Sequence, residues 1–502
     1  VNSIRLPESG RAPIEALNFV GGAWVKARGA ISDIRSPYTG GIIGRVHHST
    51  QADLDEAISG ARKGFETWSR TPIKDRCAVL FNFRQVLLRE ADTIAQQAAL
   101  ECGKTPTEAK AGLMKGIEVL EFALSIQNLD AGGKMEVSRG VFCEYRREPL
   151  GVVAGITPFN FPAMVPMWMI PIAIAVGNAF VWKPSDKTPL TSILIANAAK
   201  EAGIPDGVLT VVQGAKDTVQ NILDHPGISA VGFVGSSPVA KAVYTRGTAN
   251  GKRVLALGGA KNHIILMPDA EVEMSSRGIT DSYTGCAGQR CMAASVLLAV
   301  GKTPETQKLI DRLIGQIVTQ SAQIRVGTDM GAIITSQSKK NLSDAIARAE
   351  SQGVKVLLDG RKVQAPQGME GGNWLAPTIL DGVKPGSQAA CEELFGPVLS
   401  IIRVDTLSQA LAIENSNEYG NAASVFTTTG AVAERVAQEA RAGMVGVNIG
   451  VPVPREPFSF GGIQESRYGH GDITGPDGLD FWSHKKKVTT KWVNPPDRNW
   501  MN

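Results

Sequence analysis

A chain of 502 residues is too long for one hydrophobic core, so two or three domains are expected. Its 43% apolar and 20% charged residues are ordinary globular composition, which excludes fibrous and low-complexity classes. A formal charge of +4 is small for this length and argues against nucleic acid as the main partner, leaving room only for a local anion site.

No secretory signal is read at Val1-Asn2-Ser3-Ile4-Arg5. Short apolar runs such as Ile42-Ile43-Gly44-Arg45-Val46 predict strands near the surface. From Gln51 to about Leu129 the pattern is helical, with Leu54, Ile58, Ala61 and Phe65 recurring at three- and four-residue steps, and Ile94 and Ala98 further on. The longest apolar stretch, Phe161 to Val181, is interrupted by Pro162, Pro166, Pro171 and Asn178. Those breakers favour a buried helix followed by a strand over a membrane span.

After Glu144, strands and helices alternate. Val152–Ile156, Ala179–Lys183, Leu209–Val212 and Ala230–Val234 read as strands, with a helix across Ser192–Ala202. This order predicts an α/β fold with a doubly wound parallel sheet. A second alternating region runs from Ile264 to about Asn448, with a strand at Ser295–Val300 and a helix from Pro304 to Gln320. The tail from Phe481 to Trp492 predicts a strand, and Lys485-Lys486-Lys487 at its centre reads as a solvated edge.

The cysteines at 77, 102, 143, 286, 291 and 391 show neither a disulfide framework nor metal-ligand spacing, so no metal is expected. A reducing compartment follows as the expected setting: the cytoplasm, or the mitochondrial matrix if the source is eukaryotic.

Four segments carry chemistry. Cys291 sits in a small-residue loop, Gly285-Cys286-Ala287-Gly288-Gln289-Arg290-Cys291-Met292, where a ligand can approach closely. The adjacent Arg290 can lower the thiol's pKa and steer an anionic substrate; the alternative is a buried packing thiol. In Thr157-Pro158-Phe159-Asn160-Phe161-Pro162, directly after a strand, two prolines hold Asn160 where its amide can donate to a developing oxyanion. In Trp182-Lys183-Pro184-Ser185-Asp186, at a strand's carboxyl end, Lys183 can bond an adenosine ribose and Asp186 would repel a 2′-phosphate. Gly232-Phe233-Val234-Gly235-Ser236-Ser237 is a strand, a Gly-Ser turn and a helix start, a pyrophosphate contact at a helix N-terminus. No G-x-G-x-x-G follows these strands, which disfavours a standard Rossmann dehydrogenase.

These four segments, followed by Glu393-Leu394-Phe395-Gly396-Pro397, stand in the order and at about the spacing of the aldehyde dehydrogenase superfamily, which the chain resembles over essentially its full length. The resemblance implies Cys291 as nucleophile, with Asn160 and the Cys291 N–H as the oxyanion hole. It implies Lys183 and Glu393 on the two riboses of NAD, Ser236 near the pyrophosphate, and Phe159 and Phe395 at the cofactor. It also implies a nucleotide-binding domain (1–128 and 148–257), a catalytic domain (258–450), and an extension (129–147 and 451–502) pairing subunits into a tetramer or a dimer.

One departure narrows the expectation. Most members hydrolyse the Cys thioester with water activated by the Glu of a Glu-Leu-Gly-Gly-Lys motif. This chain reads Leu255-Ala256-Leu257-Gly258-Gly259-Ala260-Lys261-Asn262-His263. The Glu position falls on Ala256 or Leu257, depending on the anchor, and a second acidic position in the last strand falls on His484. Without a base to activate water the acyl-enzyme waits for a better nucleophile, and the thiol of coenzyme A is one. The runs Gly259–His263, Gly288–Ala293, Val451–Pro454 and Phe458–Gly462 are similar to methylmalonate-semialdehyde dehydrogenases. That resemblance implies oxidation of malonate or methylmalonate semialdehyde, with decarboxylation, to acetyl- or propionyl-CoA. The subfamily offers two arginines to the substrate carboxylate. Arg290 matches one, and the other position holds Lys115, which keeps the charge but loses the fork. Lys115 reads equally as an exposed helix lysine, and His263 reads as structural before catalytic. The alternatives are a hydrolytic aldehyde dehydrogenase giving a free acid, and a non-enzymatic member of the fold.

Overall fold

A computed structural model describes residues 4–6, 12–129 and 132–492. The expectation at Val1-Asn2-Ser3, residues 130–131 of the extension and the tail beyond Trp492 lie outside the described residues.

Five strands made almost wholly of Val, Ile, Leu, Ala and Phe form the parallel heart of an eight-stranded sheet, in the order Arg253–Leu257, Ala230–Val234, Val152–Ile156, Ala179–Lys183, Leu209–Val211. Continuous apolar runs of this kind suit strands covered on both faces. The helix Gln51–Trp68 covers one face with Leu54, Ala57, Ile58 and Ala61. It starts where Thr50 and Asp53 form a capping box. The helix Met164–Ala175 covers the other face. From Val165 to Ala175 it is buried at every position, so the apolar stretch belongs to the core. Asn178 ends it: its Oδ1 accepts from the N–H groups of Leu150 and Gly151, and its Nδ2 donates to the carbonyls of Ala173 and Trp482. The helical region from Gln51 to Leu129 is four helices, Gln51–Trp68, Ile73–Arg89, Ala91–Cys102 and Pro106–Leu129.

Within this sheet Val152–Ile156 lies between Ala179–Lys183 and Ala230–Val234. The chain therefore winds in opposite directions from that point, and the carboxyl ends there form the crevice where such sheets hold ligands.

A second sheet has seven strands in the order Lys355–Leu358, Thr378–Asp381, Val398–Val404, Ala294–Val300, Asn262–Leu266, Ala422–Phe426, Met444–Val447, all parallel but the first. Four residues, Gly258 to Lys261, carry the chain from the carboxyl end of Arg253–Leu257 to the amino end of Asn262–Leu266. So short a link brings the carboxyl edge of the first sheet against the amino edge of the second. The turn carrying Cys291 precedes Ala294–Val300 and lies on that amino edge.

A third sheet is antiparallel: Gly133–Ser138, Val141–Pro149 and Ser483–Lys491. Gly133–Ser138 is exposed along its whole length. Within 451–492 only Ser483–Lys491 joins this sheet. Arg467–Tyr468 extends the eight-stranded sheet, and the helix Gly475–Phe481 packs on Met164–Ala175. Among the described residues no helix is long and apolar enough to cross a membrane.

Candidate active site

The two sheet edges enclose a cleft of about 1360 Å³. Phe159, Asn160, Lys183, Asp186, Ser236, Cys291, Glu393 and Phe395 all line it, although they come from segments spread over nearly half the chain. Arg290 and Lys115 do not line it.

Cys291 owes its position to the turn before it. The helix Val272–Thr284 runs into Cys286, Ala287 and Gly288, at φ values of 56°, 53° and 67°. Left-handed backbone strains the two non-glycine residues, Cys286 and Ala287, a device found where a functional side chain must be aimed. At Gly288 a side chain has no room, because a Cβ would collide with the backbone of Gly396 and Pro397. The cysteine loop and the Glu393–Pro397 loop are thereby in direct contact. Gln289 anchors the turn sideways, donating to the Ala332 carbonyl (3.2 Å) and accepting from Ile334 N–H (2.9 Å). The Cys291 carbonyl accepts from Asn262 Nδ2 (2.7 Å) and Asn421 Nδ2 (2.9 Å), which fixes the peptide on its far side.

Asn160 Nδ2 donates to the Gln289 carbonyl at 3.0 Å. That bond uses one amide proton and orients the group, leaving the second proton available. The turn is stiffened from below, where Trp182 Nε1 donates to Thr157 Oγ1 and Thr157 N–H to the Lys183 carbonyl.

Electrostatics here oppose ionisation of Cys291. Burial, with the carboxylate of Glu393, pushes the Cys291 thiol up to about 12, while its own N–H, Lys104 and Arg290 pull it down. Glu393 is itself raised to about 7 by burial, against the Ala260 N–H (3.0 Å) and Lys261. The Glu393 carboxylate packs directly over Gly259, so a side chain there would displace it. Lys183, lowered to about 8 by burial against the pull of Asp186, donates from Nζ to the Gly214 carbonyl at 2.8 Å.

Ser236 precedes the helix Ser237–Ala249 and makes no side-chain cap bond to it, and Ser236, Pro238 and Val239 of this helix start line the cleft. Phe159 and Phe395 meet edge to face at 5.9 Å. Phe395 holds φ at 58°, a strained value for a bulky residue.

The positions tied to water activation are not acidic. Ala256 is buried inside the first sheet opposite Phe233 and Tyr468, and Leu257 is buried in the core cluster that Cys291 borders. Among the described residues that line the cleft, the carboxylates are Asp186 and Glu393. His484 lies on the three-stranded sheet beside Glu148 (3.8 Å), outside the lining of the cleft. His263 is buried in a central strand and held neutral, down to about 3, by burial and Lys261. Among the described residues no three His, Cys, Asp or Glu side chains form a metal-ligand group.

Arg290 lies across Gly285 and donates from Nη2 to the carbonyls of Asp281 and Ser282. Its Nε is buried without a partner. Lys115 pairs with Glu118 at 2.8 Å, and Arg455 approaches the same carboxylate at 3.8 Å. Asn262 and Asn421, which hold the Cys291 carbonyl, carry no local motif that marks this role in the sequence.

The family model described as the aldehyde dehydrogenase family matches residues 24–488. The chain belongs to the aldehyde dehydrogenase family. It is 42% identical over 483 residues to malonate-semialdehyde dehydrogenase 1 of Geobacillus thermodenitrificans, covering 95% of this chain and 98% of that one. A malonate-semialdehyde dehydrogenase of Halalkalibacterium halodurans is 41% identical over 481 residues, covering 95% and 98%. Methylmalonate-semialdehyde dehydrogenase of Oceanimonas doudoroffii superposes with a TM-score of 0.93 at 38% identity, covering 96% of this chain and 99% of that one. A Sinorhizobium meliloti protein assigned the same activity, in complex with NAD, superposes at 0.94 and 38% identity, covering 97% and 99%. As in other aldehyde dehydrogenases, the α/β architecture expected from the sequence is the one found, with parallel sheets at its centre.

Proposed function

We propose that this aldehyde dehydrogenase oxidises malonate or methylmalonate semialdehyde with NAD, through a thioester on Cys291, and passes the acyl group to coenzyme A with loss of CO2. The observation that supports the second half is the lining of the cleft: among the described residues its carboxylates are Asp186 and Glu393, both assigned to NAD, while Ala256 and Leu257, where the resemblance puts the water-activating Glu, are apolar and buried. Relatives of this name at about 40% identity support the substrate class.

The lining suits NAD. The uncapped start of Ser237–Ala249, with Ser236, is an anion site of the kind that holds a pyrophosphate. All five of the other candidate residues border the cleft, and in this reading Lys183 and Glu393 take the riboses, Phe159 and Phe395 the nicotinamide end, and Asp186 repels an added 2′-phosphate. Bound NAD supplies the hydride acceptor.

The chain's own groups do the rest. The Cys291 thiolate attacks the aldehyde carbon, forming the S–C bond while the carbonyl pair moves to oxygen. Asn160 Nδ2 and the Cys291 N–H donate to that oxyanion. As the oxyanion collapses, the C–H bond breaks with its electron pair leaving as hydride, and a thioester stays on Cys291. The same donors hold an enolate oxygen when CO2 departs from the β-carboxylate and the α-carbon takes up a proton. Coenzyme A thiolate then attacks the thioester and Cys291 thiolate leaves.

Arg290 is assigned to the substrate carboxylate by the resemblance; its side chain does not line the cleft, and its buried Nε without a partner is the donor that the acid would engage. Lys115, engaged with Glu118, attracts the acid only at a distance. Replacement Arg290→Met is expected to raise KM for malonate semialdehyde by about tenfold or more, the scale of a lost charge-assisted hydrogen bond. KM for propanal stays near wild type, as NADH assays with coenzyme A present would record. If wild-type enzyme prefers propanal to malonate semialdehyde, the carboxylate assignment fails.

We further propose a homo-oligomer, a tetramer or a dimer, in a reducing cytoplasm. The exposed strand Gly133–Ser138, with Met135 and Val137 in water, and the open edge strand Met444–Val447 support it.

A further inference from the structure

The Cys291 carbonyl is held twice. Asn262 Nδ2 donates to it at 2.7 Å and Asn421 Nδ2 at 2.9 Å, so both of its lone pairs are engaged. One donor already satisfies a buried carbonyl, and a second carboxamide brought from another loop needs a different reason.

The two amides are not equivalent. Asn262 also donates to the Ala293 carbonyl (3.0 Å) and accepts from Ala422 N–H (3.0 Å), which ties two parallel strands of the second sheet together. Asn421 stands just before the strand Ala422–Phe426 and directs its Nδ2 only at the cysteine turn. It meets the Cys291 carbonyl and, at 3.2 Å, the sulfur of Met292. Asn421 is 7% exposed and does not line the cleft, so it touches neither substrate nor cofactor.

The backbone decides what such a clamp controls. On the amino side of Cys291 the Arg290 carbonyl accepts from Ala293 N–H at 3.0 Å, and the Gln289 carbonyl before it accepts from Asn160. The peptide planes on both sides of the Cys291 Cα are thereby fixed, and with them its φ and ψ. Among the described residues the Cys291 N–H donates to no carbonyl or side-chain oxygen, which leaves it free for an oxyanion. The thiol can turn about its Cα–Cβ bond, but the N–H moves only when the backbone moves. A loosened carbonyl would therefore misdirect the N–H while the thiol could still readjust.

We propose that Asn421 is a positioning residue of the oxyanion hole: by holding the Cys291 carbonyl it aims the Cys291 N–H and so sets the rate of thioester formation. This rests on Cys291 being the nucleophile and its N–H an oxyanion donor.

The test compares two reactions of Cys291 in the full-length enzyme, for wild type and Asn421→Leu, which keeps the volume and removes the donor. Single-turnover NADH formation from saturating propanal and NAD needs both the thiol and the oxyanion hole. Alkylation by iodoacetamide, followed by peptide mass, needs the thiol alone. In Asn421→Leu the NADH rate is expected to fall by about 5- to 30-fold, short of the loss for removing a donor outright. Alkylation stays within about twofold of wild type, and NAD affinity by calorimetry is unchanged, because neither draws on the N–H. If Asn421→Leu does not accumulate as folded protein, Asn421→Ala and Asn421→Ser carry the same comparison. An NADH rate within twofold of wild type in a folded variant overturns the proposal. So does a parallel fall in NADH formation and alkylation, which would make the clamp a support for the turn as a whole. If alkylated wild-type enzyme still forms NADH, the nucleophile reading fails and the proposal with it. If alkylation abolishes NADH formation while the variant keeps its rate, only the role of Asn421 is lost.

Discussion

Cys291→Ala is expected to abolish aldehyde-dependent NADH formation, with a fall on the order of 10⁴-fold or more, the scale seen when a covalent nucleophile is removed. The size of the effect follows from the lack of a substitute. Cys286, the neighbouring thiol, is buried, does not line the cleft, and occupies a left-handed position that aims it elsewhere. NAD binding should survive, because Lys183, Ser236, Glu393 and Phe395 reach the cleft from other loops. Stopped-flow measurement of NADH together with NAD binding by calorimetry checks both halves. Rates within tenfold of wild type in the alanine enzyme would remove the thioester from the mechanism.

Asn160→Ala is expected to lower kcat by about 10²- to 10³-fold, the range for losing one side-chain donor of an oxyanion hole. Its amide is already oriented by the Gln289 carbonyl, so little reorganisation accompanies the reaction. Because the donor acts on charge that develops only during attack, KM for NAD should change little. Single-turnover NADH formation is the measurement. A loss below about tenfold would mean that the Cys291 N–H and other dipoles hold the oxyanion without Asn160.

Much of this site was legible in the chain because its parts are local motifs. Thr157–Pro162, Trp182–Asp186, Gly232–Ser237, Gly288–Cys291 and Glu393–Pro397 each carry their own turn chemistry, and each lies at a strand or helix end. The doubly wound order could be read from the alternation of apolar strands and helices, since a sheet buried on both faces needs continuous apolar runs. The division of the region from Gln51 to Leu129 into four helices was not legible at the level of periodicity, which runs on across short breaks such as Glu90 and Gly103.

The side chains that clamp the Cys291 peptide were hidden for a different reason. Asn421 acts on the Cys291 carbonyl across 130 residues, and Asn262 across 29. A lone Asn near a strand start has no local mark separating this role from a turn. Lys104 looks like any lysine after a helix until the fold buries its ammonium against Phe161. Arg455 lies in a proline-rich loop, and its nearness to Glu118 and Lys115 arises from packing between distant segments. The absence of a carboxylate at Ala256 and Leu257, in contrast, needed no structure to be seen, although the fold shows both residues sealed in apolar surroundings.

That absence is the centre of the account, and one assay addresses it directly. Enzyme is mixed with saturating NAD and malonate semialdehyde, first without coenzyme A and then with it, while NADH and acyl products are followed. Without coenzyme A the account predicts a burst of NADH near one equivalent of active sites and then a stall, with the acyl group mapped to Cys291. Adding coenzyme A should restore steady turnover and yield acetyl-CoA. Sustained turnover to the free acid without coenzyme A would contradict it, and would mean that the cleft activates water despite Ala256 and Leu257.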